Sequence, residues 1–299
     1  MKLTMLGTGH ALVTECYNTC FVISDGDRHF MTDGGGGNTV LSRLKAAGLN
    51  WMDIRDIFVT HKHIDHLLGI IWMIRVICQA MDRGDYKGEA RIYSHDEVLS
   101  LIRELAGRLL LKKETRFLDN RLLLIEVHDG DSLDIIGHST VFFDIGSTKD
   151  KQFGFSMDIG NGQKLTCCGD EPFSERERVY AENSKWLMHE AFCLYSERDI
   201  FYPYEKHHST VKDACELAEQ LHAENLLLYH TEDKSLRERK RLYADEGARF
   251  YHGRLYIPDD LETLELQAPP DQAVTKEDYG QSSASMSDER TFPFSGSIS

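Results

Sequence analysis

The sequence predicts a layered α/β domain with mixed sheets. Two observations carry this: apolar runs of strand length outnumber the helices between them, and the helix patterns come with recognisable start or stop residues. The strand-like runs lie at 2–6, 19–23, 54–59, 122–127, 140–145, 153–159, 164–168, 185–188 and 225–229, many rich in Val, Ile, Phe or Leu. Asn38 stands where it can cap a helix over 39–47 that Gly48 stops. SHDE at 94–97 has the spacing of a capping box ahead of VLSLIRELAGRLLL. In STVKDACELAEQLHA at 209–223, Val211, Ala214, Leu217, Ala218 and Leu221 share one helical stripe. Few helices separate some strands of the first half, so a regular βα alternation is excluded, and no repeat of solenoid period is present.

At 299 residues the chain can bury an extensive core, and we expect one catalytic domain over 1–266. From 267 to 299 the sequence is polar and Ser-rich and is expected to form a mobile tail, with Phe292 and Phe294 able to dock. The net charge of −15 argues against a general nucleic-acid binder and favours a small-molecule substrate. Seven cysteines, with Cys167 and Cys168 adjacent, read as reduced thiols of a cytoplasmic protein rather than as a disulfide framework. No apolar leader opens the chain, and the longest apolar run, LLGIIWMI at 67–74, is shorter than a membrane span, so no membrane role is expected. Apolar residues such as Trp72 and Met73 leave room for a homodimer.

The segment with chemistry in it is IFVTHKHIDH. A β-branched strand delivers His61, His63, Asp65 and His66 within six positions. Imidazole and carboxylate are ligands for Zn²⁺, Mn²⁺ or Fe²⁺, and ligands this close on a loop can converge on one ion or two neighbouring ions. The glycines at 34–37 suggest a phosphate loop, but no Lys-Ser/Thr follows at the required spacing, and a tight strand-to-helix turn accounts for them better. The basic stretch KSLRERKRL at 234–242 reads as a solvated helix face.

H-x-H-x-D-H over 61–66 resembles the signature of the metallo-β-lactamase superfamily, and the likeness extends over roughly 1–266 through LGTGHA, FMTDGG with Asp33, CCGDEP with Asp170 and LLLYHTED with His230. It looks closest to the ribonuclease Z branch, because Glu190 falls in LMHEAF and His208 in KHHST. The resemblance implies a four-layer αββα sandwich of two mixed β-sheets flanked by helices. It also implies metal ligands His61, His63, Asp65, His66, Asp170 and His230, with Asp65, Glu190 and His208 as catalytic residues. Two divalent ions about 3.5–4 Å apart, Zn²⁺ first among the candidates, would share Asp170 and activate a water against a phosphoryl or carbonyl centre. Asp65 would orient or deprotonate that water, and His208, steered by Glu190, would meet the substrate's charged oxygen or leaving group. Asp33 reads either as a turn residue or as a partner to a ligand histidine.

Two departures shape the expectation. Ribonuclease Z proteins that process tRNA carry a long Gly- and Pro-rich arm where QFGFSMDIGNGQKLTCCGD passes from strand to strand through a short turn. The third-histidine position of the superfamily aligns with Gly146, and His138 on an ordinary strand lies roughly 26 Å further back at about 3.3 Å per residue. The expected function is a metal-dependent hydrolase of phosphodiesterase type acting on a small phosphodiester or ester. A ribonuclease Z-like tRNA 3′ endonuclease and a binding protein with a degenerate hydrolase site are the alternatives. With Gly146 in place of an imidazole, the seat of His61 and His63 is expected to hold its ion less firmly.

Overall fold

The computed structural model describes residues 1–267 and pairs its strands into two seven-stranded sheets. The first sheet comprises β1 (Lys2–Gly7), β2 (Cys20–Asp25), β3 (Arg28–Thr32), β4 (Ile54–Phe58), β5 (Ala90–Ser94), β6 (Leu122–Glu126) and β14 (Thr263–Glu265), in the order β14-β1-β2-β3-β4-β5-β6. The second comprises β7 (Ser132–Ile135), β8 (His138–Asp144), β9 (Phe153–Gly160), β10 (Gln163–Cys167), β11 (Trp186–Glu190), β12 (Asn225–Tyr229) and β13 (Arg254–Tyr256), in the order β13-β12-β11-β10-β9-β8-β7. Strands β3 to β6 run parallel, as do β10 to β13, while the remaining pairs of each sheet, β14–β1 among them, are antiparallel. Both sheets are therefore mixed, as expected.

Period-two alternation divides the side chains between layers. On β2, Phe21 and Ile23 point between the sheets, where Leu3, Met5, Phe30, Phe58, Phe142, Phe155 and Leu227 join them. Cys20 and Val22 face the opposite side, with α1 (Thr39–Ala46), α2 (Ile64–Arg83) and α3 (Asp96–Leu109), which is followed by the single turn α4 (Lys112–Thr115). The second sheet is covered by the single turns α5 (Arg178–Ala181) and α6 (Arg198–Phe201) and by α7 (Val211–Gln220) and α8 (Arg239–Gly247). The result is helix, sheet, sheet, helix. Each buried phenylalanine between the sheets contributes about 1.5–3 kcal/mol of burial, and Phe155 adds T-shaped contacts to Phe30 and Phe58.

Some local expectations differ from the structure. Asn38 sits at the N-cap of α1 without a side-chain cap bond. At α3 the N-cap is His95, likewise without a cap bond, because Ser94 is still in β5 and its hydroxyl bonds the Val59 carbonyl. Met73 is buried, and Trp72 is the exposed member of that pair. The apolar run at 67–74 belongs to α2, most of which is buried within the protein, the pattern of a core helix. All seven cysteines are free. The expected tail lies outside the described residues, apart from Gln267.

The docking of α2 against the glycines after β3 matters most for the site. Gly34 donates its N–H to the His66 carbonyl at 2.8 Å, and Gly69 donates to the Gly35 carbonyl at 2.9 Å. A Cβ on Gly69 would lie 1.8 Å from the Gly34 oxygen, and one on Gly34 would lie 2.5 Å from the Ile70 nitrogen. Glycine here serves close backbone approach rather than phosphate binding. Gly69→Ala is expected to cost about 3 kcal/mol in urea unfolding, because backbone must move to admit the methyl group. A loss below about 0.5 kcal/mol would show that this packing is looser than described.

Candidate metal centre

The site residues follow the C-terminal ends of parallel strands, the place where open α/β sheets gather ligands. Asp33 follows β3. His61, His63, Asp65 and His66 follow β4 and enter the first turn of α2, Asp170 follows β10, Glu190 ends β11 and His230 follows β12. Asp33 and His230 both hold φ at 57°, in the left-handed region that costs a non-glycine residue energy and is enriched at functional sites.

Asp170 is the hub. Its Oδ2 lies 3.1 Å from His66 Nε2, 3.3 Å from His230 Nε2 and 3.6 Å from His61 Nε2. Asp65 Oδ2 lies 3.4 Å from His66 Nε2 and 3.5 Å from His230 Nε2. His63 turns Nδ1 toward His61 Nε2 at 2.7 Å. Behind them, Asp33 Oδ2 accepts from His66 Nδ1 at 2.8 Å and from the Thr60 hydroxyl at 2.8 Å. That hydroxyl in turn meets His61 Nδ1 at 2.9 Å. One carboxylate thus orients two imidazoles so that their Nε2 atoms face inward. Asp33 is the hydrogen-bond partner of His66, not a turn residue alone.

Burial and charge pull against each other here. Burial disfavours ionising Asp170, yet His61, His230 and His66 outweigh it and hold the carboxyl well below its usual range. Burial likewise opposes a charged His66, but Asp65, Asp33 and Asp170 outweigh that and push it well up. Burial keeps His61 well down despite Asp170. Three buried carboxylates with fewer cations among them leave an excess of negative charge that a divalent ion would neutralise. The inward Nε2 atoms of His66 and His230 have no hydrogen-bond partner among the described residues, which is the state a metal ligand needs. The donors His61, His66 and Asp170, and Asp65, His66 and His230, come close enough to share an ion in each case. This set fits a divalent metal.

A cavity of about 250 Å³ opens over the cluster and is lined by His63, Asp65, Asp170, His208 and His230. Lys149, Lys206, Glu171 and His10 also line it; the last three lie within KHHST, CCGDEP and LGTGHA, but the sequence did not mark them as site residues. His208 donates Nδ1–H to the Asp170 carbonyl at 2.9 Å, stacks on Phe192, and lies 3.6 Å from Glu190 Oε2. Burial, helped by His230, lowers its pKa to about 3. Glu190 bonds instead to the Ser209 amide, so it holds the backbone beside His208. Gly146 has φ +75°, and a Cβ there would meet Arg176 Cδ at 3.0 Å and Ser174 Oγ at 3.2 Å. A side chain at 146 is thus aimed at the 174–176 loop, and a histidine there would be strained. His138 is engaged by Asp25 and the Asp158 carbonyl, and His128 by Glu126 and Asp131, so neither enters the cluster.

Comparison with known proteins places this geometry. The family model described as "Anti-Pycsar protein Apyc1" matches residues 1–252. Ribonuclease Z of Thermococcus sibiricus is 24% identical over 316 aligned residues, covering 89% of this chain and 96% of that protein. Ribonuclease Z of Pyrococcus abyssi is 26% identical, covering 76% of this chain and 84% of that protein. Among solved structures, the metallo-β-lactamase fold protein YhfI from Bacillus subtilis superposes with a TM-score of 0.72 at 17% identity, covering 88% of this chain and 98% of YhfI. The short form of human tRNase Z gives 0.67 at 19% identity, covering 90% of this chain and all of the other. The metallo-β-lactamase fold and the ribonuclease Z-like kinship are both shown.

Asp33→Ala removes the acceptor that serves His66 directly and His61 through Thr60. We expect metal affinity to fall about 10–100-fold in chelator competition. Unchanged affinity would mean that the imidazoles are oriented by something else.

Proposed function

The chain belongs to the Anti-Pycsar protein Apyc1 family, and from that premise we propose that this metal-dependent hydrolase is a phosphodiesterase acting on a small phosphodiester. The observation that carries the reading is Asp170 Oδ2, which lies within 3.6 Å of three inward imidazole nitrogens while the cavity opens beside it. The ion seats we assign are His61, His63 and Asp170 on one side, and Asp65, His66, His230 and Asp170 on the other. Zn²⁺ is the first candidate, and Mn²⁺ or Fe²⁺ suit the same donors. A bound divalent ion supplies Lewis acidity toward a phosphoryl oxygen and lowers the pKa of water.

The chain's own groups do the rest. Asp65, held beside His230, orients the attacking water and takes its proton. His208 has committed its Nδ1–H to Asp170, so Nε2 is the atom it turns to the substrate's charged oxygen or leaving group. Lys149 and Lys206 bring local positive charge to a protein of net charge −15, and an anionic substrate gains from it at short range. The family's name adds opposition to Pycsar as the setting of this activity.

Ribonuclease Z relatives keep a tRNA precursor as the second reading. Against it, β9 passes to β10 through Asn161 and Gly162, both at positive φ, in a tight turn with no inserted arm.

Purified protein given Zn²⁺ or Mn²⁺ is expected to hydrolyse bis(p-nitrophenyl) phosphate or a cyclic nucleotide. Asp65→Asn should abolish turnover, and His208→Ala should lower kcat by roughly 10²–10⁴-fold with metal content unchanged. No turnover of any small ester with metal bound would contradict the reading. Cleavage of a tRNA 3′ trailer at a comparable rate, falling steeply with salt, would establish the second reading instead.

A further inference from the structure

The stretch 150–152 enters β9 next to the metal centre, and nothing in the motifs singled it out. Asp150 lies in a bend, and Lys151 and Gln152 lead into β9, which begins at Phe153. Lys151 reaches Asp96 at 2.6 Å, away from the cluster. Asp150 Oδ2 lies 3.0 Å from His63 Nε2, the ring nitrogen opposite the one that faces His61. Lys62 fixes Asp150 from behind at 2.6 Å. The Gln152 side chain is buried, donates to Asp170 Oδ1 and lies 2.8 Å from His61 Nδ1. Its Oε1 has no partner among the described residues, a cost the fold accepts here. The backbone of this stretch is tied to the cluster too, because Phe153 donates to the carbonyl of Thr60, the residue before His61, at 3.0 Å.

We infer that Asp150 and Gln152 are positioning residues for the His61 and His63 side of the centre. Gln152 engages Oδ1 of Asp170 and so leaves Oδ2 for the imidazoles. Asp150 engages Nε2 of His63 and so leaves Nδ1 for the ion. Where the superfamily pattern has a third histidine, this chain supplies no imidazole, and these two side chains instead hold the remaining ligands in place. The inference rests on the proposed reading of the cluster as a two-metal site.

The full chain, stripped of metal, is titrated with Co²⁺ while the visible absorption of the bound ion is followed, and metal per chain is measured after dialysis. The variants are Gln152→Met, which keeps the length and removes the amide, Asp150→Ala and Asp150→Asn. Gln152→Met and Asp150→Ala should weaken the looser ion about 10-fold or more and change its spectrum, with the tighter ion within twofold of wild type. Asp150→Asn keeps an acceptor oxygen and should recover most of the loss. Variants that bind both ions like wild type overturn the inference, as do variants that lose both ions equally and a wild type that takes up one ion per chain. A wild type that binds no divalent ion overturns the metal reading itself. Asp150 is part-exposed, so its truncation removes little packing and carries the test even if Gln152→Met does not fold.

Discussion

Three carboxylates, Asp33, Asp65 and Asp170, are buried together with the imidazoles of His61, His66 and His230, and the architecture around them follows from keeping that cluster solvable. A charge taken out of water costs several kcal/mol unless partners replace the lost hydration. Asp170 finds imidazoles on three sides, and Asp33 finds a ring N–H, a hydroxyl and the Thr60 amide. None of these partners is near another in sequence except within 60–66. The fold's task is to bring four separate segments, at 33, 60–66, 170 and 230, to one edge and hold them there.

Two devices do this. On one side α2 is pressed against the 34–37 glycines by backbone bonds that admit no side chain. On the other, Arg239 is fully buried and bonds Thr8 Oγ1 at 3.1 Å, Thr231 Oγ1 at 2.6 Å and the Pro258 carbonyl at 2.8 Å. Thr8 follows β1 and Thr231 follows His230, so one guanidinium ties a loop of the first sheet to the loop that presents His230 from the second. Its planar fork suits this better than a lysine would.

Much of this was legible in the sequence, for physical reasons. Residues 61–66 carry donor side chains so dense that their spacing alone signals metal, and the nine expected strands all appear because each is a largely apolar run of strand length. The strands missed, such as β3, β7 and β14, are short or polar and gain their pairing from neighbours rather than from their own pattern. Helix α2 was hidden because it is apolar nearly all round, as a core helix must be. Arg239 was read as solvated since a single buried arginine in KSLRERKRL looks like its exposed neighbours. Asp150 and Gln152 have no motif, and only the loop between β8 and β9 brings them to His63 and Asp170. At Gly146, where alignment with the superfamily leaves a ligand missing, the backbone turns the position toward Ser174 and Arg176.

The central claim is that Asp170 joins two unequal ion seats. Anomalous diffraction from crystals soaked at rising Zn²⁺ concentration tests it most directly. The account predicts a first peak among Asp65, His66, His230 and Asp170, then a weaker second peak at His61 and His63 about 3.5–4 Å away, with the Asp170 carboxylate between them. A single peak that leaves Asp170 unligated, or two peaks that fill in parallel, would contradict it.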